Sequence, residues 1–100
     1  MSGDPQGREL ARAAVWRAAA TLLREAREAQ GWSQDELARR AAVRPGTVAR
    51  YELGEYRLPR VEGWLRVTDA LGLDLAQFIR DAETRAGASL RAGITPRDAP

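Results

Sequence analysis

The most informative part of the chain is the segment 34–53, where apolar residues recur at helical spacing on both sides of a break. Residues 44–46 (Arg-Pro-Gly) interrupt the pattern, so one continuous helix cannot keep every apolar residue on the same face. Two short helices joined by a tight turn can do so. The apolar positions concerned are Leu37, Ala41, Val43, Val48 and Tyr51.

Three further helices are predicted from the rest of the chain, and no segment alternates as a strand would. Ser33 and Asp74 are each followed three residues later by Glu or Gln, the pattern of a capping box at a helix start. Gly63 falls inside the fourth predicted helix, where it costs about 1 kcal/mol relative to Ala and permits close approach by a neighbour. The sequence therefore predicts an all-α fold of five helices, at about 8–29, 34–41, 45–53, 60–71 and 74–85.

Breaker residues indicate the limits of the folded part. We expect a flexible lead at 1–7, one helical domain at 8–86, and a flexible tail at 87–100, where the helical periodicity fades. One hundred residues suffice for a single modest core. Apolar residues make up 44% of the chain and aromatic residues only 6%, so this core must be built largely from alanine and closely packed helices.

Composition excludes several kinds of chemistry. The chain has no Cys and no His, which removes thiol nucleophiles, the usual zinc ligands and the commonest general base. Helix capping accounts for Glu36 and Asp74 better than catalysis does, so we expect no enzyme, metal or cofactor. A net charge of +2, with Arg supplying all sixteen basic residues, does not by itself indicate a nucleic-acid partner. No signal peptide or membrane span is visible, and we expect a soluble cytoplasmic protein.

Three segments together resemble the lambda-repressor/Cro-like (XRE) helix-turn-helix family. They read LLREAREAQGWSQDELARRAAV, TVARYELGEYRLP and VEGWLRVTDALGLDLAQFI, and they cover roughly residues 19–79. The resemblance implies a five-helix lambda-repressor-like DNA-binding domain with an N-terminally extended first helix and its motif at 34–53. It also implies a transcriptional regulator, with a repressor that binds a palindromic operator as a homodimer as the leading hypothesis.

The resemblance assigns roles to individual residues. Gln34 matches the position that grips a phosphate of double-stranded DNA at the start of the second helix. Arg57 and Arg60 fall in the loop that runs along the DNA backbone in such proteins. Arg27 and Glu52 match a structural salt bridge between the first helix and the end of the third.

The recognition helix departs from the family's usual composition. Arg50 is the one long polar reader in its outward stripe, and Ala42 stands where Gly often occupies the turn, so a left-handed backbone there would be strained. Arg44 replaces the Ser that usually caps this helix. The residues that we expect to contact bases are Arg44, Pro45, Gly46, Thr47, Ala49 and Arg50.

Two questions stay open at the level of sequence. The extension around Leu10 and Trp16 is either a few exposed turns or a dimerisation element, and the fifth helix with the tail is the other candidate interface. The weakly polar recognition stripe also leaves an alternative function, a helix-turn-helix antitoxin or another module that binds a protein partner.

Overall fold

The computed structural model describes residues 5–55 and 61–91 of the 100-residue chain. The described residues contain five α-helices and no strand, which confirms the predicted all-α fold. The helices are α1 (Pro5–Ala29), α2 (Gln34–Ala41), α3 (Thr47–Glu52), α4 (Val61–Ala70) and α5 (Leu75–Arg91).

The two terminal helices are longer than the sequence predicts. Helix α1 begins at Pro5, a residue that the first helical turn tolerates because its missing N–H would have no partner there. Helix α5 continues to Arg91 because Ala82 and Ala86, four residues apart, extend its buried face. Both helices therefore extend into the segments that the sequence predicts to be a flexible lead, 1–7, and a flexible tail, 87–100. The remainder of both predicted segments lies outside the described residues.

The core is built from small side chains, as the composition predicts. Ala19 of α1 and Ala82 of α5 are fully buried, and the beginning of α5 lies beside the end of α1. Alanines on facing helices allow the helix axes to approach closely. The larger buried residues of this core are Leu23, Leu37, Val48, Tyr51, Trp64, Val67, Leu71 and Phe78.

Trp64 of α4 lies at the centre of an aromatic cluster that joins four helices. Its ring is stacked on that of Tyr51 from α3, with centroids 4.4 Å apart and planes 8° from parallel. Trp16 of α1 and Phe78 of α5 each contact it at a centroid distance of 5.8 Å. The first-helix extension therefore supplies a partly buried side chain, Trp16, that packs against the core.

Helix α4 has two large apolar residues on its surface. Val61 and Leu65 are 56% and 43% exposed, whereas Trp64 and Val67 are buried. Thr68 is also buried, although its side chain is polar. Its hydroxyl is fully buried and donates to the Trp64 carbonyl at 2.9 Å, which satisfies it within the helix.

Each predicted capping box is formed only in part. The Glu36 N–H donates to the Ser33 hydroxyl at 3.0 Å, and the Gln77 N–H donates to the Asp74 carboxylate at 2.9 Å. The reciprocal bonds are absent among the described contacts of Glu36 and Gln77. The Glu36 carboxylate instead accepts from Arg39 and Arg40, which lower its pKa below the usual value. These i,i+3 and i,i+4 pairs lie on the exposed face of α2.

Gly63 lies inside helix α4, where the sequence predicts close approach by a neighbour, and that neighbour is Tyr51. A Cβ at this position would lie 2.1 Å from the Tyr51 hydroxyl oxygen and 3.3 Å from the Tyr51 Cζ atom. The Tyr51 ring is 4% exposed and held by the stack on Trp64. It therefore has little room to move away from an added methyl group.

We expect Gly63→Ala to destabilise the protein by about 1–3 kcal/mol, since overpacking outweighs the gain in helix propensity. Gly87→Ala in α5 is the matched control. There the nearest atom to an added Cβ is the end of the flexible Arg91 side chain, at 3.2 Å, so helix propensity should dominate and raise stability. Urea unfolding of both variants measures the two free energies. Equal shifts of the same sign would contradict the role given to Tyr51.

Candidate nucleic-acid interface

The turn between α2 and α3 has the left-handed backbone that the sequence predicts at Ala42. This residue has φ 58° and ψ 43°, and it is the only non-glycine residue with positive φ in the described part of the chain. The next N–H, of Val43, donates to the Ala38 carbonyl at 3.0 Å, which closes the end of α2. The Ala42 carbonyl accepts from Arg66 Nη1 of α4 at 3.1 Å.

Arg66 was not anticipated as part of the motif. Its guanidinium also donates to Glu62 one turn earlier at 2.7 Å, so two contacts hold it beside the turn. The contact to Ala42 spans 24 residues, and no local sequence pattern indicates such a pairing. Helix α4 therefore helps to fix the backbone that joins α2 to α3.

We expect Ala42→Gly to stabilise the protein by roughly 0.5–1 kcal/mol. Relief of the left-handed strain, about 1–2 kcal/mol, exceeds the added entropy of glycine in the unfolded chain. Ala42 is exposed, so no packing is lost. The control is Ala88→Gly on the exposed face of α5, which should lower stability. Thermal unfolding followed by circular dichroism measures both, and a lower Tm for Ala42→Gly would contradict the strain.

Helix α3 begins two residues later than the sequence predicts. The prediction places Pro45 in its first turn, whereas the helix begins at Thr47 with Gly46 as its N-cap. Gly46 has φ 92°, a conformation outside the helical range, and offers no side chain to cap the helix. Pro45 therefore lies in a turn closed by the Thr47 N–H and the Arg44 carbonyl at 3.1 Å. Arg44 accordingly precedes this turn and is not the cap.

The two faces of α3 differ sharply in burial. Val48 and Tyr51 are 0% and 4% exposed and form its inner face. The outward side is formed by the turn before the helix together with the solvent-facing helical residues. Arg44, Pro45, Gly46 and Arg50 are exposed, Thr47 and Ala49 are half-buried, and Leu53 follows the helix at 73% exposure. The predicted base-contacting residues are thus exposed or half-buried and lie outside the core; we call them the outer edge of α3.

A nearly buried ion pair anchors the end of α3. Arg27 Nε of α1 lies 2.7 Å from Glu52 Oε2, and Arg27 Nη2 lies 3.0 Å from Glu52 Oε1, so the pair is bidentate. The two side chains are 11% and 5% exposed. The hydrogen bond that Arg27 donates to Glu52, with the charge of that carboxylate, raises the Arg27 pKa against the opposing effect of burial. Arg27 Nη1 also donates to the Trp32 carbonyl at 2.8 Å, so the same guanidinium holds the loop before α2.

Gln34, the predicted phosphate-contacting residue, joins this ion pair. It is the first residue of α2, and its Nε2 donates to Glu52 Oε1 at 3.0 Å across 18 residues of sequence. The resemblance supplied separate roles for these residues and gave no sign that they touch. Arg57 and Arg60, the other predicted phosphate contacts, lie outside the described residues.

We expect Arg27→Met to destabilise the protein by about 3–5 kcal/mol, because it leaves the Glu52 carboxylate buried without a counter-charge. The double variant Arg27→Met/Glu52→Met should recover a large part of this loss, since neither charge then remains. Guanidinium unfolding of the wild type and the two variants measures the difference. Stability of the double variant below that of Arg27→Met would rule out the unpaired charge as the cause.

This geometry defines a helix-turn-helix protein. Its second motif helix, α3, has one face buried in the core and the other open to solvent. A helix-turn-helix family profile matches residues 23–78, more than half of the 100 residues. The chain belongs to this lambda-repressor-like (XRE-type) family of DNA-binding regulators. No curated protein and no solved structure matched the chain. In the described ranges, no helix is long and apolar enough to cross a membrane.

Proposed function

We propose that this protein is a sequence-specific transcriptional repressor that binds a palindromic operator as a homodimer. The observation that carries the proposal is the outer edge of α3, which is open to solvent while Val48 and Tyr51 fix the opposite face in the core. A helix supported from behind in this way fits the DNA major groove. Half-sites would then lie about one helical turn, ~34 Å, apart.

Base reading is assigned to the outer edge of α3. The Arg44 and Arg50 guanidinium groups match the O6 and N7 acceptors of guanine, and Thr47 and Ala49 carry methyl groups that suit a thymine methyl. Gly46 has no side chain and the Pro45 ring is compact, which allows the backbone of the turn to approach the bases. We therefore expect a short half-site in which at least one of these arginines contacts a guanine.

Gln34, Arg57 and Arg60 are assigned to the DNA backbone. The first of these lies at the start of α2, where free backbone N–H groups and the helix dipole also favour a phosphate. Contacts of this kind fix the register of the protein on the duplex but carry no sequence information. Repression is the simplest outcome of such binding, since occupation of the operator blocks polymerase.

Exposed apolar residues on three helices are candidates for the contact with a second copy. Leu10 at the beginning of α1 is 66% exposed, and Leu90 at the end of α5 is 47% exposed. On α4, Val61 and Leu65 are exposed one turn apart. Single exposed apolar residues are common on monomers, so the half-site spacing of the operator is the better evidence for a dimer.

Selection from random duplex DNA at about 150 mM salt tests the proposal, because nonspecific phosphate binding is suppressed there. An enriched inverted repeat supports a dimeric regulator and gives the operator sequence. Enrichment of a single half-site would support DNA recognition and exclude the homodimer. A folded protein that enriches no sequence would contradict sequence-specific binding.

We expect Arg50→Ala to weaken operator binding by about 1–3 kcal/mol and to relax specificity at one base pair of each half-site. Arg39→Ala, on the exposed face of α2, is the matched control and should leave that specificity unchanged. Fluorescence anisotropy on the selected duplex and its single-base variants measures both effects. An equal loss on every duplex would reassign Arg50 to a phosphate contact.

The second candidate is a helix-turn-helix antitoxin or another module that binds a protein partner. The observation that favours it is the exposed Leu53 at the end of α3, with Ala49 one turn earlier on the same side. A salt series between 50 and 200 mM distinguishes the two, since phosphate-driven association falls steeply over this range. Binding held by apolar contacts changes far less.

A further inference from the structure

Three hydrogen-bond donors converge on the two oxygens of one carboxylate, that of Glu52. Arg27 Nε donates to Oε2, while Arg27 Nη2 and Gln34 Nε2 both donate to Oε1, at 2.7, 3.0 and 3.0 Å. An ionised carboxylate only accepts hydrogen bonds, so it requires the nitrogen of the Gln34 amide, and not its oxygen, to face it. Glu52 thereby fixes which way the Gln34 amide is turned.

We propose that Glu52 is a positioning residue for the phosphate contact that Gln34 makes, and not an architectural residue alone. The proposal rests on the proposed function, DNA binding through α2 and α3. A primary amide nitrogen carries two hydrogens. One is used on Glu52, and the second remains for a DNA phosphate. Because the side chain is already ordered in the free protein, less rotamer entropy is lost when DNA binds.

Arg27 is required for this arrangement because a carboxylate close to a phosphate is otherwise repulsive. Its guanidinium makes a bidentate pair with Glu52, which neutralises the negative charge where the DNA backbone would lie. The same group holds the Trp32 carbonyl, two residues before Gln34. Arg27 therefore sets both the charge and the backbone position of the phosphate-contacting residue.

The arrangement also ties the phosphate contact to base reading. Gln34 is the first residue of α2 and Glu52 the last residue of α3, the helix assigned to the major groove. A hydrogen bond between these two side chains resists movement of one helix end relative to the other. The register set by the backbone contact is then transmitted directly to the depth and angle of α3.

A double-mutant cycle on the full chain tests the proposal. In Glu52→Gln, the single amide oxygen is expected to accept from Arg27, which leaves the amide nitrogen facing Gln34. The amide nitrogen at position 52 and the Gln34 amide nitrogen are both donors and cannot bond to each other, so the Gln34 amide must turn or move away. Gln34→Met removes the phosphate donor with little change of shape. We expect each single variant to weaken operator binding about tenfold, the value of one hydrogen bond to a charged group.

The decisive measurement is the operator affinity of the double variant Gln34→Met/Glu52→Gln. If Glu52 acts through Gln34, adding Glu52→Gln to Gln34→Met costs no further affinity. A second loss of about tenfold, multiplying the first, would show a merely structural role and overturn the proposal. Glu55→Gln, an exposed carboxylate just beyond α3, controls for the change of charge. Unfolding curves of every variant give the folded fraction used to correct each Kd.

A measurement on the wild type decides the question if Glu52→Gln does not fold. In NMR spectra of the free protein, one of the two Gln34 side-chain amide protons should be protected from solvent exchange by Glu52. Addition of the selected operator duplex should shift the other proton. Rapid exchange of both protons would overturn the proposal. Wild-type protein that binds no DNA would refute the proposed function, whereas binding with independent variant effects would refute only the positioning role.

Discussion

The ion pair between Arg27 and Glu52 fixes the arrangement on which the rest of the interface depends. It joins the end of α1 to the end of α3, and its second branch holds the loop that leads into α2. Its net contribution to stability is small, since desolvation of two charges cancels much of their attraction. Its contribution to geometry is large, because the bidentate pair has one favourable alignment and a shift of any of the three segments breaks it.

Apolar packing supplies the folding energy that the ion pair does not. The stack of Tyr51 on Trp64 requires the ring to pass over Gly63, where no side chain intervenes. This contact sets the distance between α3 and α4 on one side, and the ion pair sets the position of the α3 end on the other. Helix α3 is thus located by one aromatic contact and one ionic contact, made by adjacent residues.

The sequence predicts most of the fold because its signals are local. Capping residues, helix-ending glycines and apolar spacing depend on neighbours within four positions, and they locate all five helices. The end of α5 was missed since alanine is a weak apolar signal, and the burial of Ala82 and Ala86 depends on α1. The start of α3 was misplaced because Pro45 is equally compatible with a first helical turn and with the turn that precedes one.

The candidate site is less predictable, because its contacts are between residues distant in sequence. The resemblance identified Arg27, Glu52 and Gln34 but assigned the first two and the third to separate tasks. Their convergence on one carboxylate, and the contact of Arg66 with the Ala42 carbonyl, follow from the packing of helices and not from spacing. The exposure of Leu65 likewise depends on which side of α4 faces α2 and α5.

Helix α3 has only six residues, and no side chain caps its start. A segment of this length has almost no tendency to be helical in isolation, because the cost of nucleation is not recovered over so few hydrogen bonds. Its order is therefore supplied by its neighbours, and its amides should open to solvent by a local fluctuation more easily than those of α1. Any ligand that binds only the folded form of α3 lowers the population of the locally opened form by mass action. Amide exchange within α3 is thus a direct record of how fully the surface it presents is occupied.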